Sequence, residues 1–367
     1  MKVIYIAETS LTNKSAYSHH VIKMCDAFIK LENEVTIITS KKNSNLSLKK
    51  IRKDFALKGK TSFKILYFTN LNFENFFTRI LFGIRTSIFL KHNKADLILS
   101  RSIMTSFILT LFKTHHFLEI HSELKSISKF IMINLNYIKS KYIIKKILIS
   151  KALNKVFYFN KDEVLILHDG VDINNFKKPK VTNSIKNATY IGSFYKGRGL
   201  EIILKLAKRF KKINFNLYGD KTNTFHTNLK NVRIFNFKPY KKIPSILSKS
   251  DLLLMPYANN VSVRSNNLNT ANYCSPLKMF DYLASGKIII SSKLDGICEV
   301  LKHKKNSLIV KRYNIRNWMD VLRNVIKKKY PLRKIQKNAF LTSKNYTWEK
   351  RALKIIEVAK KNYEQNR

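Results

Sequence analysis

The sequence predicts an α/β protein made of two doubly wound domains in succession. Three observations lead there. Short β-branched runs suited to buried parallel strands alternate with stretches of helical apolar period. At 367 residues the chain is too long for one ordinary core. The strand-first pattern also pauses at a polar linker, 174–184 (NNFKKPKVTNS), and restarts at residue 188.

Taken in order, residues 2–7 (KVIYIA) read as a strand, and the loop 8–17 leads to a helix on which Val21, Met24, Cys25, Phe28 and Leu31 recur at helical spacing. Residues 35–39 (VTIIT) form the next strand, so the chain opens with a right-handed parallel crossover. No glycine lies in that first loop, which argues against a dinucleotide fingerprint. Residues 41–60 are basic and weakly patterned, a loop with a short helix. Strands at 62–67, 96–100 and 117–121 and helices at 73–90 and 103–112 complete the regular pattern. Glu119 and His121 lie near the carboxyl end of the last of these strands, where open α/β sheets place functional residues; a purely structural histidine is the plain alternative. Residues 126–147 space Ile127, Phe130, Ile131, Leu135, Ile138, Tyr142 and Ile143 among lysines, which reads as an interfacial helix or equally as a core helix with a solvated basic face. Short apolar segments at 147–150, 155–158 and 164–167 close this half.

In the second half a strand at 188–191, a glycine-bearing loop at 192–199 and a helix at 200–210 are followed by strands at 214–218, 232–235 and 252–255 and a helix at 243–247. The most informative stretch is 273–292 (YCSPLKMFDYLASGKIIISS). Ser275 and Pro276 read as an N-cap followed by proline at the first helical position, where its missing N–H costs nothing. Met279, Phe280 and Leu283 supply the apolar face, Gly286 the stop, and 287–292 a buried strand. Free N–H groups at such a helix start, with the positive end of the helix dipole, suit an anion such as phosphate, and Asp281 stands within reach of ribose hydroxyls beside it. An ordinary crossover helix with a surface aspartate fits the spacing as well. A basic helix at 347–363 ends the chain.

The formal net charge is +47, from 70 Lys+Arg against 23 Asp+Glu. Such a field favours nucleic acid, anionic lipid headgroups or acidic and phosphorylated substrates. Richness in Lys, Asn, Ile and Phe with few Gly and Pro is also what AT-rich codon drift leaves on tolerant surfaces. With 45% hydrophobic residues the chain can bury two sheets, which excludes disorder. Cys25, Cys274 and Cys298 show neither a disulfide framework nor metal-ligand spacing, which fits a reducing compartment. No signal peptide or membrane-spanning run is evident, so a cytoplasmic protein, soluble or peripheral on the inner face of the membrane, is expected.

Several motifs in order resemble the family 4-like glycosyltransferases of the GT-B fold: LEIHSE at 118–123, ISKAL at 149–153, LHDGVD at 167–172, YIGSFYKGRGLE at 190–201, NFNLYGD at 214–220, SDLLLMPY at 250–257, SPLKMFDYLASGK at 275–287, GICEVL at 296–301 and YTWEKRA at 346–352. The resemblance implies two Rossmann-like domains facing a cleft: an acceptor-binding domain at 1–176, a nucleotide-sugar domain at 177–345, and a C-terminal helix at 346–367 packing back on the first. It implies retaining transfer from a nucleotide sugar, without a metal or other cofactor, to a saccharide or lipid-linked saccharide in cell-surface polysaccharide or lipopolysaccharide synthesis. By that resemblance His121 lines the reacting sugar and Arg198 matches the basic residue that holds the diphosphate, both as catalytic groups. Ser193 stands where the family has an arginine, so the second charge is expected from Lys196, Arg264 or Lys278. Gly219, Ser275, Pro276, Leu277, Lys278, Asp281 and Glu299 complete the donor site, with Tyr273 replacing the first acid of a two-acid motif. Ser15, Ala16 and Glu119 fall in the acceptor region. A GT-B partner subunit with impaired activity is the alternative raised by Ser193 and Tyr273. A nucleic-acid-binding enzyme is disfavoured because lysines are scattered through both halves without a binding motif.

Overall fold

The computed structural model describes residues 1–11, 15–40, 47–57, 63–70, 73, 75–124, 129–130, 134–177, 181, 184–219, 227–262, 269–311 and 314–365. Its contacts separate two compact units: residues 1–149, 154–168 and 348–367 form the first, and residues 150–153 and 169–347 the second.

The first unit holds β1 (Lys2–Ser10), α1 (Ala16–Lys30), β2 (Glu34–Ser40), α2 (Leu48–Asp54), β3 (Lys64–Thr69), α3 (Phe76–His92), β4 (Leu97–Ser100), α4 (Ile103–Leu111), β5 (His116–Ile120) and β6 (Ile143–Leu148). Helix α5 (Lys151–Phe157) contains a boundary between the units, and β7 (Val164–Ile166) returns the chain to the sheet. All pairings are parallel, in the order β3-β2-β1-β4-β5-β6-β7. One core face joins Ile4, Ile6, Ile38 and Ile98 of the sheet to Phe82 and Leu90 of α3 and Leu109 of α4.

The second unit runs β8 (Asn187–Ile191), α6 (Leu200–Arg209), β9 (Asn214–Gly219), β10 (Val232–Asn236), α7 (Ile243–Ser248), β11 (Leu252–Met255), α8 (Leu277–Ser285), β12 (Ile288–Ser292), α9 (Asp295–Cys298), β13 (Leu308–Val310), α10 (Ile315–Ile326) and α11 (Leu332–Ser343). Its six strands are again parallel, ordered β10-β9-β8-β11-β12-β13. Both faces are covered, which explains uninterrupted apolar strands: Leu252 and Leu254 pack with α6 and α10, while Leu253 and Met255 pack with α8. A last helix, α12 (Trp348–Gln365), belongs to the first unit and packs along α1.

The doubly wound α/β reading therefore holds in both halves. Helices α10 and α11 are additions, since no motif marks them. The start of α8 lies at Leu277, so Pro276 holds the cap position expected of Ser275, and Gly286 ends the helix at φ 60° as expected. The range 126–147 departs further. Residues 125–128 and 131–133 lie outside the described residues, 137–139 form one 3-10 turn, and Ile143–Leu148 is strand β6 between β5 and β7. Lys146, read as part of a solvated face, is buried and donates to Glu163 Oε2 at 3.0 Å. The helical spacing loses because two neighbouring strands satisfy this backbone better than a helix would.

Strand β5 starts at His116, whose Nδ1 lies 2.9 Å from the Thr114 carbonyl and Nε2 2.6 Å from Ser106 Oγ. Nδ1 must donate to the carbonyl, so Nε2 accepts from the hydroxyl and the ring is neutral. Burial pushes this imidazole down to about 4, against the pull of the Thr114 carbonyl. The unfolded chain therefore binds the proton first, and the stabilisation from this site is complete above pH 6.5 and lost as pH falls towards 4. The melting temperature is expected to fall over that window, and a His116→Asn variant to show a flatter dependence, measured by calorimetry at a series of pH values.

Candidate functional site

In a parallel sheet the carboxyl ends of the strands share one edge, and the loops leaving them meet there. In the second unit the loop after β8 carries Gly192, Ser193, Lys196 and Arg198, the exit of β11 carries Tyr257, and α8 begins with Leu277 and Lys278. Gly199 caps α6 at φ 76°, and a Cβ there would stand 1.6 Å from the Pro256 carbonyl oxygen, so only glycine lets the loop press against the end of β11. That approach brings Arg198 to Tyr257, guanidinium carbon 5.5 Å from the ring centre.

Lys278 completes the arrangement. Its Nζ sits 3.9 Å from the Tyr190 ring centre and 5.3 Å from that of Tyr257. A Cβ on Gly192, at φ 147°, would lie 2.6 Å from the same nitrogen, so this glycine makes room for the ammonium. Nζ of Lys278 and Nε of Arg198 are buried without a hydrogen-bond partner, and among the described residues no carboxylate pairs with either. Burial, and then the neighbouring Arg198, hold the Lys278 ammonium well below its ordinary range. A half-buried lysine and arginine flanked by aromatic rings, with no acid among the described residues paired to either, can accept an anion.

The other expected donor residues surround this pair in different ways. Ser193 accepts the Tyr190 hydroxyl on its carbonyl at 2.8 Å and supplies no charge. Lys196 is exposed, and its carbonyl accepts from Ser262 Oγ at 3.0 Å. Of the three candidates for the second charge the structure brings Lys278 to Arg198; Arg264 lies outside the described residues. Gly219 is a point of close approach, since a Cβ there would meet the Gly192 carbonyl oxygen at 2.3 Å. Ser275 and Pro276 lead into α8, whose first free N–H groups point out of its start. Asp281 accepts from the Tyr240 hydroxyl at 3.0 Å. Glu299 has both carboxylate oxygens engaged, accepting from Lys151 N at 2.8 Å and Ala152 N at 2.7 Å, so it caps the start of α5.

In the first unit the expected acceptor residues lie at the start of α1 and inside β5. Ser15 caps α1, its Oγ accepting from Tyr17 N at 3.2 Å, and Ala16 is the exposed first residue of that helix. Glu119 is buried rather than open to an acceptor, and is the centre of a network: Oε2 accepts from the Tyr5 hydroxyl at 2.5 Å, and Oε1 meets His121 Nε2 at 2.9 Å, His20 Nε2 at 2.9 Å and a guanidinium nitrogen of Arg351. Glu119, the last residue but one of β5, points into the interior where these groups converge. His20, Glu119 and His121 place ligand atoms within 4.8 Å of one another, a geometry open to a cation, but Arg351 and Tyr5 already fill the carboxylate. Burial, with Arg101 adding, holds the His121 imidazole down to about 3 against the pull of Glu119. His20, Tyr190, Tyr257 and Arg351 escaped the sequence reading because each looks like an ordinary core residue until its neighbours are known.

Residues 172–342 match the family described as Glycosyl transferases group 1. The second unit is a group 1 glycosyl transferase domain. The match supports reading the chain as a glycosyltransferase, and solved structures agree with it in fold over nearly its whole length. Sucrose-phosphate synthase of Thermosynechococcus elongatus aligns with TM-score 0.76 and 12% identity, covering 99% of both chains. HepE of Anabaena, solved in complex with UDP-glucose, gives 0.73 and 13%, covering 98% of this chain and 100% of that one. The lipopolysaccharide outer core galactosyltransferase WaaB gives 0.69 and 13%, covering 99% and 100%. No curated protein matched the chain. The GT-B expectation is thus met in the glycosyl transferase domain and in the fold.

An anion drawn to Lys278 should restore its positive charge. Binding of an anion such as inorganic diphosphate is expected to take up protons, read as a binding enthalpy that varies with the ionisation enthalpy of the buffer. Lys278→Met should abolish this and raise the melting temperature of the unliganded protein, by about 1–2 kcal/mol of stability, because a buried unpartnered polar group is removed.

Proposed function

We propose that the protein is a retaining transferase that moves a sugar from a nucleoside diphosphate sugar to a saccharide or lipid-linked saccharide of the cell surface. The observation that carries this reading is the pair Arg198 and Lys278 beside the start of α8, whose Nε and Nζ are buried and to which no acid among the described residues is paired. A diphosphate leaving group needs positive charge and N–H donors where its negative charge develops, and this is what the pair and the helix start offer. Lys278 supplies the charge that Ser193 lacks. Asp281, oriented by Tyr240, takes the ribose hydroxyls.

Glu119 is ionised, held well below the usual carboxylate range by His20 and Arg351 although burial opposes them, and it can only accept. The proton between it and His121 therefore sits on Nε2, which leaves the Nδ1 lone pair of a neutral ring to receive a hydroxyl of the donor sugar. In the reaction the bond from the anomeric carbon to the diphosphate oxygen breaks as the acceptor oxygen bonds on the same face. The acceptor's proton passes to the departing phosphate. No metal and no covalent nucleophile is required in this scheme.

HepE was solved with UDP-glucose and WaaB is named for lipopolysaccharide, which supports a nucleotide-sugar donor and a cell-surface acceptor. No helix among the described residues is long and apolar enough to cross a membrane. A lipid-linked acceptor would instead be met at the surface: along α3, Phe77, Leu81 and Ile88 are 71%, 54% and 48% exposed on one stripe, with Arg85 and Lys91 beside them. Sedimentation with vesicles containing anionic lipid should show binding that weakens as salt rises, and that is absent for purely zwitterionic vesicles.

For the donor, titration with UDP, GDP and their sugar conjugates should raise the melting temperature for one nucleotide class. Arg198→Ala and Asp281→Ala should lose that shift. His121→Ala should keep it while losing nucleotide release from the sugar conjugate. A folded protein stabilised by no nucleotide would overturn the reading in favour of an inactive partner subunit.

A further inference from the structure

The network around Glu119 contains more than His121 needs for burial alone. The carboxylate sits where β1, α1 and the exit of β5 come together: the Tyr5 hydroxyl and His121 Nε2 donate to it, and His20 Nε2 approaches Oε1 at 2.9 Å. The remaining donor comes from α12, the last helix of the chain. Arg351 is almost fully buried, with a side chain 2% exposed, and spreads its guanidinium over three acceptors: Glu119 Oε1 and the carbonyls of Leu167 and His168 just beyond β7. One turn earlier, Trp348 stands edge-on to His20 at 5.3 Å, and His20 stands edge-on to His121 at 4.6 Å. Helix α12 thus reaches His121 by two routes, one polar through Glu119 and one aromatic through His20.

We propose that Arg351 is a positioning residue of the transfer reaction: delivered by the C-terminal helix, it pins the Glu119 carboxylate, which in turn sets the tautomer and direction of the His121 ring. The proposal rests on the reading of His121 given above. Without a fixed cation on Oε1, Glu119 can rotate towards Tyr5 and release Nε2, and both ring tautomers of His121 become accessible. A guanidinium suits the task because its planar fork serves the carboxylate and two carbonyls together, which an ammonium cannot do in the same geometry. The charged and titratable groups facing Glu119 are Tyr5 from β1, Tyr17, His20 and Cys25 from α1, Arg101 beyond β4, His121 and Arg351. Of these, Arg351 alone joins a fixed positive charge to direct contact with the carboxylate.

The test compares Arg351→Gln and Arg351→Lys with Glu349→Gln, which removes the exposed Lys30 to Glu349 pair between α1 and α12 without touching the network. Using UDP release from UDP-glucose, or GDP release from GDP-mannose if that class binds, Arg351→Gln should lower kcat by roughly 10- to 100-fold and leave nucleotide-induced stabilisation in place. Its acid limb should move to higher pH, because removing a cation lets Glu119 and His121 take up protons more readily. Arg351→Lys should return the acid limb towards the unmodified protein while kcat stays reduced, and Glu349→Gln should change neither. Nitrogen NMR of His121 reads the same point without any turnover: one Nε2–H tautomer in the unmodified protein and in Glu349→Gln, and a mixture in Arg351→Gln. If the donor reading fails and no nucleotide is turned over, this spectrum still decides the positioning. Should Arg351→Gln not fold, Arg351→Lys carries the comparison. An unchanged tautomer together with an unchanged pH profile would reduce Arg351 to a strap for α12 and overturn the proposal.

Discussion

A parallel strand must leave the sheet at one end and re-enter at the other, and this constraint organises both units. With every strand of each sheet running the same way, the connections that carry polar residues out of the core gather at one edge. In the second unit the exits of β8 and β11 and the start of α8 meet there, which is why Arg198, Tyr257 and Lys278 become neighbours though far apart in the chain. In the first unit the exits of β4 and β5 place Arg101, Glu119 and His121 together.

The two gatherings are electrostatic opposites. Around Arg198 and Lys278 no acid among the described residues answers the guanidinium and the amine, and burial disfavours the lysine's charge, an unfavourable term that an anion would relieve. Around Glu119 one carboxylate is met by Tyr5, His121 and Arg351, so its charge is answered within the unit. The first arrangement is built to bind and the second to hold a side chain still. A polar network in a low-dielectric interior rigidifies when it is complete, and an incomplete one is costly until its partner arrives.

Much of the site was legible because its residues lie in motifs with a local mechanical reason. Gly286 stops α8 in a left-handed conformation that glycine adopts freely, and the apolar spacing of Met279, Phe280 and Leu283 marks the face that packs on the sheet. Arg198 and Lys278 could be named from their motifs, although that the two sit together was not legible. The partners of Glu119 and Glu299 were not legible, because burial and hydrogen-bond partners are properties of neighbours distant in sequence. Glu299 is taken by N–H groups of residues 151 and 152, and Glu119 by residues 5, 20, 121 and 351.

By itself, then, the sequence determined the two α/β units, their strand-first order and the helix that follows Pro276, since hydrophobic period, caps and breakers act over a few residues. Tertiary structure alone decided that 143–148 is a strand between two others, that Lys278 stands over Tyr190, and that an arginine of the last helix completes a network begun at Tyr5. These outcomes depend on which surfaces meet once the strands are ordered in the sheet, and local periodicity contains no information about that order.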